Sequence, residues 1–258
     1  GAVTKETLEA IGVSYEVLTE SPGDMLSQLK RVIDQSKKNQ SPMALLVRKG
    51  SFAKYAPTRN LGNKLQISRE SAIKAIVESS PENAIFVSTT GKASRELFEV
   101  RKSLGQKHDS DFLTVGSMGH ASQIALSIAL QKKDRVVICL DGDGSLLMHM
   151  GGAALVSSLQ PTNFYHIILN NGVHESVGGQ PTCAFNLDLS KLSSAFGYER
   201  FKQIETPEKI REVLPNLFSS SGPYMLEIRL NSSSRSDLGR PTSKPLENKL
   251  ALMKNLQA

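Results

Sequence analysis

"RVVICLDGDGSLLMHMGG", residues 135–152, decides how the rest of the chain is read. The apolar run Arg135–Leu140 enters Gly142-Asp143-Gly144-Ser145, and a helix is expected over about residues 146–158. A strand that is apolar along its whole length has both faces buried, as in a parallel sheet covered by helices. Taken alone, Gly-Asp-Gly is a turn, because both residue types favour turns for local backbone reasons. Between a strand and a helix it has a second reading. Amides at a helix start receive an anionic phosphate, and glycines let a ligand come close to the backbone.

The same rhythm runs outward in both directions. Downstream stand the strand "NFYHIILN", a helix near residues 188–196 and the strand "ERFKQI". A helix from Thr206 to Phe218, with Pro207 in its first turn, and the strand "YMLEIRL" follow. Upstream, "FLTV" (112–115) leads into the Gly-rich turn and helix of "GSMGHASQIALSIALQ". Before it come helical "ASRELFEVRKSL", the strand "NAIFVST" and a helix capped by Ser68 that runs to about Ser79. Strands alternating with helices predict an α/β fold with a doubly wound, mostly parallel sheet flanked by helices.

Nearer the start, residues 4–11 read as a short helix and "VSYEVL" as a strand. A helix capped by Asp24 reaches about Lys38, and "MALLV" (43–47) is a second strand. The expected division is therefore a strand–helix–strand piece over 1–49 and a linker over 50–66. A main domain over 67–230 and a C-terminal tail over 231–258 complete it. The first piece is either the end of an upstream domain or an edge appendage of the main one.

The chain has 258 residues, 39% hydrophobic and 22% charged, which suits a globular protein. Its formal charge of +6 comes from scattered Lys and Arg. No basic run is interleaved with aromatics, so the charge reads as a basic surface and not as a nucleic-acid interface. No apolar run approaches the ~18 residues that span a bilayer, and no signal peptide is visible, so a cytoplasmic protein without membrane contact is the default expectation. Of the two cysteines, Cys139 falls inside an apolar strand and reads as a buried inert thiol. No zinc-ligand spacing occurs.

In a doubly wound sheet, ligands bind outside the carboxyl ends of the strands. Four segments sit at such ends: Thr89-Thr90-Gly91, Gly116-Ser117-Met118-Gly119, Gly142-Asp143-Gly144-Ser145 and Asn170-Asn171-Gly172-Val173. One helix and one strand separate Asp143 from Asn171, which returns the chain to the same sheet edge. A carboxylate, an amide oxygen and a backbone carbonyl are oxygen ligands that Mg²⁺ accepts, with phosphate oxygens at its other positions.

"GDGS" followed at a later strand end by "NN" resembles the diphosphate–metal motif of thiamine-diphosphate enzymes, over roughly residues 67–230. The resemblance implies thiamine diphosphate and Mg²⁺ as cofactors. It places Mg²⁺ on Asp143, the Asn171 side chain and the Val173 carbonyl. Gly144, Ser145 and Thr90 would meet the diphosphate. In the Gly116-Ser117-Met118-Gly119 segment, the Gly116 carbonyl would accept the pyrimidine amino group, and Met118 would wedge between the two rings. From the residues alone, Met118 is equally a core side chain. "STTGKASRELFE", "NNGVHESVGGQPT" and "SRSDLGRPTSKPLENK" look like the phosphonopyruvate decarboxylases, with sulfopyruvate decarboxylases as close relatives. The substrate implied is a small 2-oxo acid, phosphonopyruvate. A non-catalytic module that binds phosphate or a nucleotide through the same loops is the other reading.

One departure from the family matters. Its enzymes activate the cofactor with a glutamate on a separate pyrimidine-binding domain, normally N-terminal, and none fits before residue 66. Residues 13–47 look like the last part of one. The chain is accordingly expected to be a piece of a longer enzyme or a split subunit, and the family implies a homo-oligomer. Among other polar residues, His174 is either a proton-transfer group or part of a loop that closes over the diphosphate. His120 reads as a helix-start residue, and His149 and His166 as structural. Arg235 and Arg240 either meet a phosphonate group or stay solvated.

Overall fold

The computed structural model of this chain describes residues 2–53 and 65–257. Residues 54–64, most of the expected linker, lie outside the described residues. The chain divides into two compact units, Gly1–Asn60 and Leu61–Ala258.

The first unit runs α1 (Thr4–Ala10), β1 (Ser14–Val17), α2 (Pro22–Asn39) and β2 (Met43–Leu46). The two strands pair in parallel from Ser14↔Met43 to Val17↔Leu46, as a strand–helix–strand unit requires. α2 starts two residues before Asp24. Ser21 is extended and Pro22 stands at the first helical position, where a missing N–H costs nothing. Gln28 and Val32 of α2 are buried, whereas Leu26 and Ile33 stay exposed.

The second unit begins with α3 (Arg69–Ser79), β3 (Ile85–Ser88), α4 (Lys92–Ser103) and β4 (Asp111–Leu113). It continues with α5 (Ala121–Gln131), β5 (Val137–Gly142), α6 (Asp143–Met148), α7 (Leu155–Leu159) and β6 (Phe164–Asn170). Then follow the two-residue strands β7 (Val173–His174) and β8 (Gln180–Pro181), α8 (Leu189–Ala195) and β9 (Arg200–Ile204). The last elements are α9 (Pro207–Phe218), β10 (Tyr224–Arg229) and α10 (Pro245–Asn255). Six strands form one sheet in the order β4-β3-β5-β6-β10-β9, every pair of them parallel. The α/β fold expected from the alternating pattern is the one observed.

Strand alternation sorts the core into two layers. Phe86, Ile138, Leu140, Tyr165 and Ile167 pack with Ile73 and Ile76 of α3, Leu97 of α4, and Ile210 and Leu214 of α9. Ile85, Val87, Val137, Cys139 and Ile168 face the other way, onto Ala125 and Leu126 of α5, Leu189 of α8 and Leu252 of α10. The expected caps are present: Ser68 accepts the Ser71 amide, and Thr206 accepts that of Lys209. Cys139 is fully buried, and burial pushes its thiol well above the ordinary range. No described helix is long and apolar enough to cross a membrane.

One expectation needs correction. The single helix over about 146–158 is broken. α6 starts at Asp143 itself and stops at Met148, a 3-10 turn spans Met150–Ala154, and α7 resumes afterwards. Gly151 and Gly152 lie in that turn, and glycine disfavours a helix interior. A Cβ on Gly152 would lie 2.5 Å from the Gln123 side chain. The expected C-terminal tail carries a helix of its own. Pro245 opens α10, and the Glu247 carboxylate accepts the Lys244 amide at 2.8 Å.

α10 covers the exposed edge of β4. Asn248 is buried, its Oδ1 accepting the Leu113 N–H at 3.0 Å and its Nδ2 donating to the Asp111 carbonyl at 2.8 Å. The amide thus completes the edge much as a neighbouring strand would. Replacing Asn248 by Leu strands both backbone groups. A loss of about 2–4 kcal/mol is expected from the urea midpoint, at ~1–3 kcal/mol per orphaned group.

Candidate functional site

Four loops leave the carboxyl ends of the neighbouring strands β4, β3, β5 and β6. From β3 the chain steps outward to β4, then crosses back to β5 on the other side. The strand order reverses between β3 and β5, where open α/β sheets leave a crevice. Ser145 ties three of these loops together. Its fully buried Oγ accepts the Thr89 hydroxyl at 2.9 Å and the Gly119 amide at 3.0 Å. Its side chain therefore faces inward, into the loop framework.

Asp143 is the first residue of α6 and is 3% exposed. Register explains its position. Gly142 pairs with Leu169, so the loops after β5 and β6 leave the sheet side by side. The Asp143 carboxylate accepts the Thr182 hydroxyl and the backbone amides of Asp143, Gly144 and Asn171. Burial pushes this carboxyl above its ordinary range, and those hydrogen bonds draw it part of the way back. Asn171 is buried as well. Its Oδ1 accepts the Val173 amide at 3.2 Å, and its Nδ2 donates to Glu175 at 3.4 Å. The structure thus brings Asp143, Asn171 and Val173 together.

The chain after Asn171 folds over this point as a small hairpin. β7 and β8 pair antiparallel, and the Thr182 amide closes onto the Gly172 carbonyl at 2.8 Å. The hairpin lays the His174 ring against Gly144: a Cβ built on Gly144 would lie 2.5 Å from His174 Cε1 and 2.7 Å from Nδ1. Gly144→Ala must therefore push His174 aside. The expected result is a cofactor affinity at least ~10-fold weaker, with His174→Ala in the same chain restoring much of it. Additive losses in that double-mutant cycle would contradict the contact.

The remaining residues named from sequence stand on the neighbouring loops. The half-buried Thr90 donates from its hydroxyl to the Val115 carbonyl at 2.8 Å. Gly116 and Ser117 are exposed and Met118 is half-buried. Ser117 has φ +50°, a left-handed conformation that non-glycine residues adopt at a cost and that clusters at functional loops. His166 is fully buried between Asp141, at 3.2 Å, and the Tyr198 hydroxyl, at 2.7 Å, and lies near Cys139. A larger cavity of about 1070 Å³, lined by Glu78, Asn83, Asp109 and Arg135, lies at the amino ends of the strands. It is on the far side of the sheet from these loops.

Residue spacing did not expose the charged frame that pins the hairpin. Glu175 receives Arg69 at 2.9 Å and Lys92 at 2.8 Å. Arg69 also forks onto Glu96, at 2.6 and 3.0 Å. Burial pushes Glu175 up, but Arg69, Lys92 and Ser234 outweigh it and hold the carboxyl below the usual range. Thr182 was missed too, although it ends the quoted stretch "NNGVHESVGGQPT". Arg235 is consumed by Glu70, Glu99 and Asp237.

A buried carboxylate, an amide side chain and a backbone carbonyl form a hard-oxygen donor set. Beside them lies a glycine with no room for a Cβ. These residues fit a divalent cation together with a diphosphate.

Comparison with known proteins bears on the family and the fold of this chain. Residues 89–228 match the model of the thiamine pyrophosphate enzyme C-terminal TPP binding domain. A phosphonopyruvate decarboxylase of Streptomyces viridochromogenes is 35% identical over 199 residues, which is 77% of this chain and 48% of that protein. The chain thus spans about half the length of that relative. A sulfopyruvate decarboxylase subunit beta of Methanocaldococcus jannaschii is 36% identical over 128 residues, 49% of this chain and 65% of that subunit. A solved structure from Mycobacterium smegmatis, of an enzyme thought to depend on thiamin diphosphate, aligns with a TM-score of 0.53 at 17% identity. It covers 84% of this chain and 43% of that one, and the likeness shows the fold alone. This chain belongs to the thiamine pyrophosphate enzymes and carries their C-terminal TPP binding domain.

Proposed function

We propose that this chain is the diphosphate- and metal-holding half of a thiamine-diphosphate- and Mg²⁺-dependent decarboxylase. Its reaction converts phosphonopyruvate to phosphonoacetaldehyde and CO₂, a step of phosphonate biosynthesis. The observation that carries the reading is Asp143, buried at the sheet's switch point with its carboxylate bonded to the Asn171 amide.

Asp143, the Asn171 amide oxygen and the Val173 carbonyl hold the metal. Gly144, Ser145 and Thr90 line the diphosphate, with the Ser145 hydroxyl bracing the loops from behind. The Gly116 carbonyl, Ser117 and Met118 meet the organic rings of the cofactor. Thiamine diphosphate, when bound, would supply the nucleophilic carbon and the electron sink that decarboxylation of a 2-oxo acid needs. His174, over Gly144 and beside the metal ligands, shields the diphosphate from water and moves a proton to the product carbon; its contact with Gly144 supports this role. A pyrimidine-binding domain, in the same enzyme or in a partner chain, supplies the activating glutamate, and the working enzyme is a homo-oligomer.

Sulfopyruvate is the second substrate to weigh, because a sulfopyruvate decarboxylase subunit is also among the relatives. The test is CO₂ release by the full-length enzyme with thiamine diphosphate, Mg²⁺ and either acid. Faster turnover of phosphonopyruvate is expected. Faster turnover of sulfopyruvate, or no CO₂ at all, contradicts the assignment.

A further inference from the structure

We infer that Arg95 and Arg240 form the subsite that receives the tetrahedral oxyanion of the substrate, a phosphonate or a sulfonate. This rests on the decarboxylase reading above and names the part of the site that selects its substrate.

A cavity of about 370 Å³ opens at the carboxyl ends of β3 and β4, within the ordinary range for small-molecule sites. Its walls include Thr90, Arg95, Thr114, Val115, Arg240 and Ser243. Thr90 belongs to the loop assigned to the diphosphate, so the cavity borders the cofactor site. Arg95 comes from the first turns of α4, and Arg240 from the segment that leads into α10. Two parts of the chain far apart in sequence thus bring two guanidinium groups to one space.

What these two arginines lack is the main observation. Among the described residues, neither has a hydrogen bond or an ion pair. Every other described arginine is engaged. Arg31, Arg48, Arg69, Arg101, Arg211, Arg229 and Arg235 hold carboxylates. Arg135 holds the Asn83 carbonyl at 2.8 Å, and Arg200 lies over the Tyr224 ring. Among the described residues, the cavity lining contains no Asp or Glu that could neutralise Arg95 and Arg240.

A further lining group is also unspent. Ser243 Oγ is buried and has no hydrogen-bond partner among the described residues. Buried polar atoms are nearly always paired, so an orphan of this kind marks a place for a ligand atom. Two planar guanidinium forks and a hydroxyl match a tetrahedral oxyanion, which accepts several hydrogen bonds at once and carries up to two charges. The dianionic phosphonate gains more from two arginines than the monoanionic sulfonate does.

Methylphosphonate and methanesulfonate separate the two sources when titrated calorimetrically into the full-length holoenzyme, wild type and variants. Wild type is expected to bind methylphosphonate more tightly than methanesulfonate. Arg95→Gln and Arg240→Gln each weaken methylphosphonate at least ~10-fold, and Ser243→Ala weakens it a few-fold. KM for phosphonopyruvate rises by similar factors. Thiamine diphosphate affinity, measured in the same samples, stays as in wild type and reports that the fold is intact. Unchanged methylphosphonate affinity in both arginine variants, or none in wild type, overturns the subsite and leaves the decarboxylase reading standing. Tighter sulfonate binding that depends on both arginines supports the subsite and overturns the phosphonopyruvate assignment. Failure of wild type to bind thiamine diphosphate overturns the reading on which the subsite rests.

Discussion

Asp143→Asn is expected to cost at least about a hundredfold in thiamine diphosphate affinity with Mg²⁺ present, about 2.7 kcal/mol, while the fold stands. The two halves of that expectation have separate causes. The carboxylate is the one charged group in the proposed donor set, and Mg²⁺ is a hard cation that prefers charged oxygen. Asparagine keeps the volume and one acceptor oxygen for the Thr182 hydroxyl or the neighbouring amides. It also removes a charge whose burial is costly, as the raised carboxyl of Asp143 shows. Stability should therefore stay within about 1 kcal/mol of wild type. Urea denaturation reads the second half. Titration of thiamine diphosphate with Mg²⁺ and with a chelator reads the first. A variant that keeps metal-dependent affinity would contradict the role given to Asp143.

Arg69→Met should show the opposite balance, with a large loss of stability. Arg69 holds Glu96, 1% exposed, through two short hydrogen bonds, and reaches Glu175 as well. Removing one partner of a buried pair leaves a buried charge uncompensated, at about 3–5 kcal/mol. The loss should also depend on pH. Burial pushes Glu96 above its ordinary range even beside Arg69. The native chain therefore holds that proton more tightly than the unfolded chain. The associated stability is fully present below the unfolded value and is lost as pH rises through the folded one. Without Arg69 the folded value climbs further, so the gap between variant and wild type widens as pH rises above the ordinary carboxylate range. Chemical denaturation from that range upward measures it, and a companion Glu96→Leu should recover most of the loss. A gap under about 1 kcal/mol, flat with pH, would show that the pair does not brace the hairpin.

Local pattern carried the sheet and the loops. Each buried strand was a short apolar run ending in glycine or a small polar residue, so its limits were visible within a window of a few residues. Asp143 and Asn171 were legible for the same reason, since each ends such a run. What stayed hidden was settled by partners distant in sequence. Arg69 and Glu175 stand far apart in the chain, and nothing near either residue announces the other. Thr182 reaches Asp143 only because a hairpin of two-residue strands turns it back, too short for any alternation to show. Gly151 and Gly152 interrupt an otherwise apolar helical stretch, and the close approach of Gln123 to Gly152 that accompanies the break is set by a distant helix. α10 has little amphipathic contrast, and its docking joins the buried Leu252 to the Asn248 amide, which reaches the edge of β4. Arg240 stood out beside Arg235 as a possible anion ligand, yet only the structure separates them, because Arg235 is spent on three carboxylates.

On the proposed function, the loops after β5 and β6 hold a metal and a diphosphate together. Anomalous diffraction from crystals of the enzyme grown with thiamine diphosphate and Mn²⁺ in place of Mg²⁺ tests it most directly. The predicted result is one metal peak enclosed by the Asp143 carboxylate, the Asn171 amide oxygen and the Val173 carbonyl, with the diphosphate against Gly144. A metal bound elsewhere, or a diphosphate held away from Gly144 and Ser145, would contradict the account.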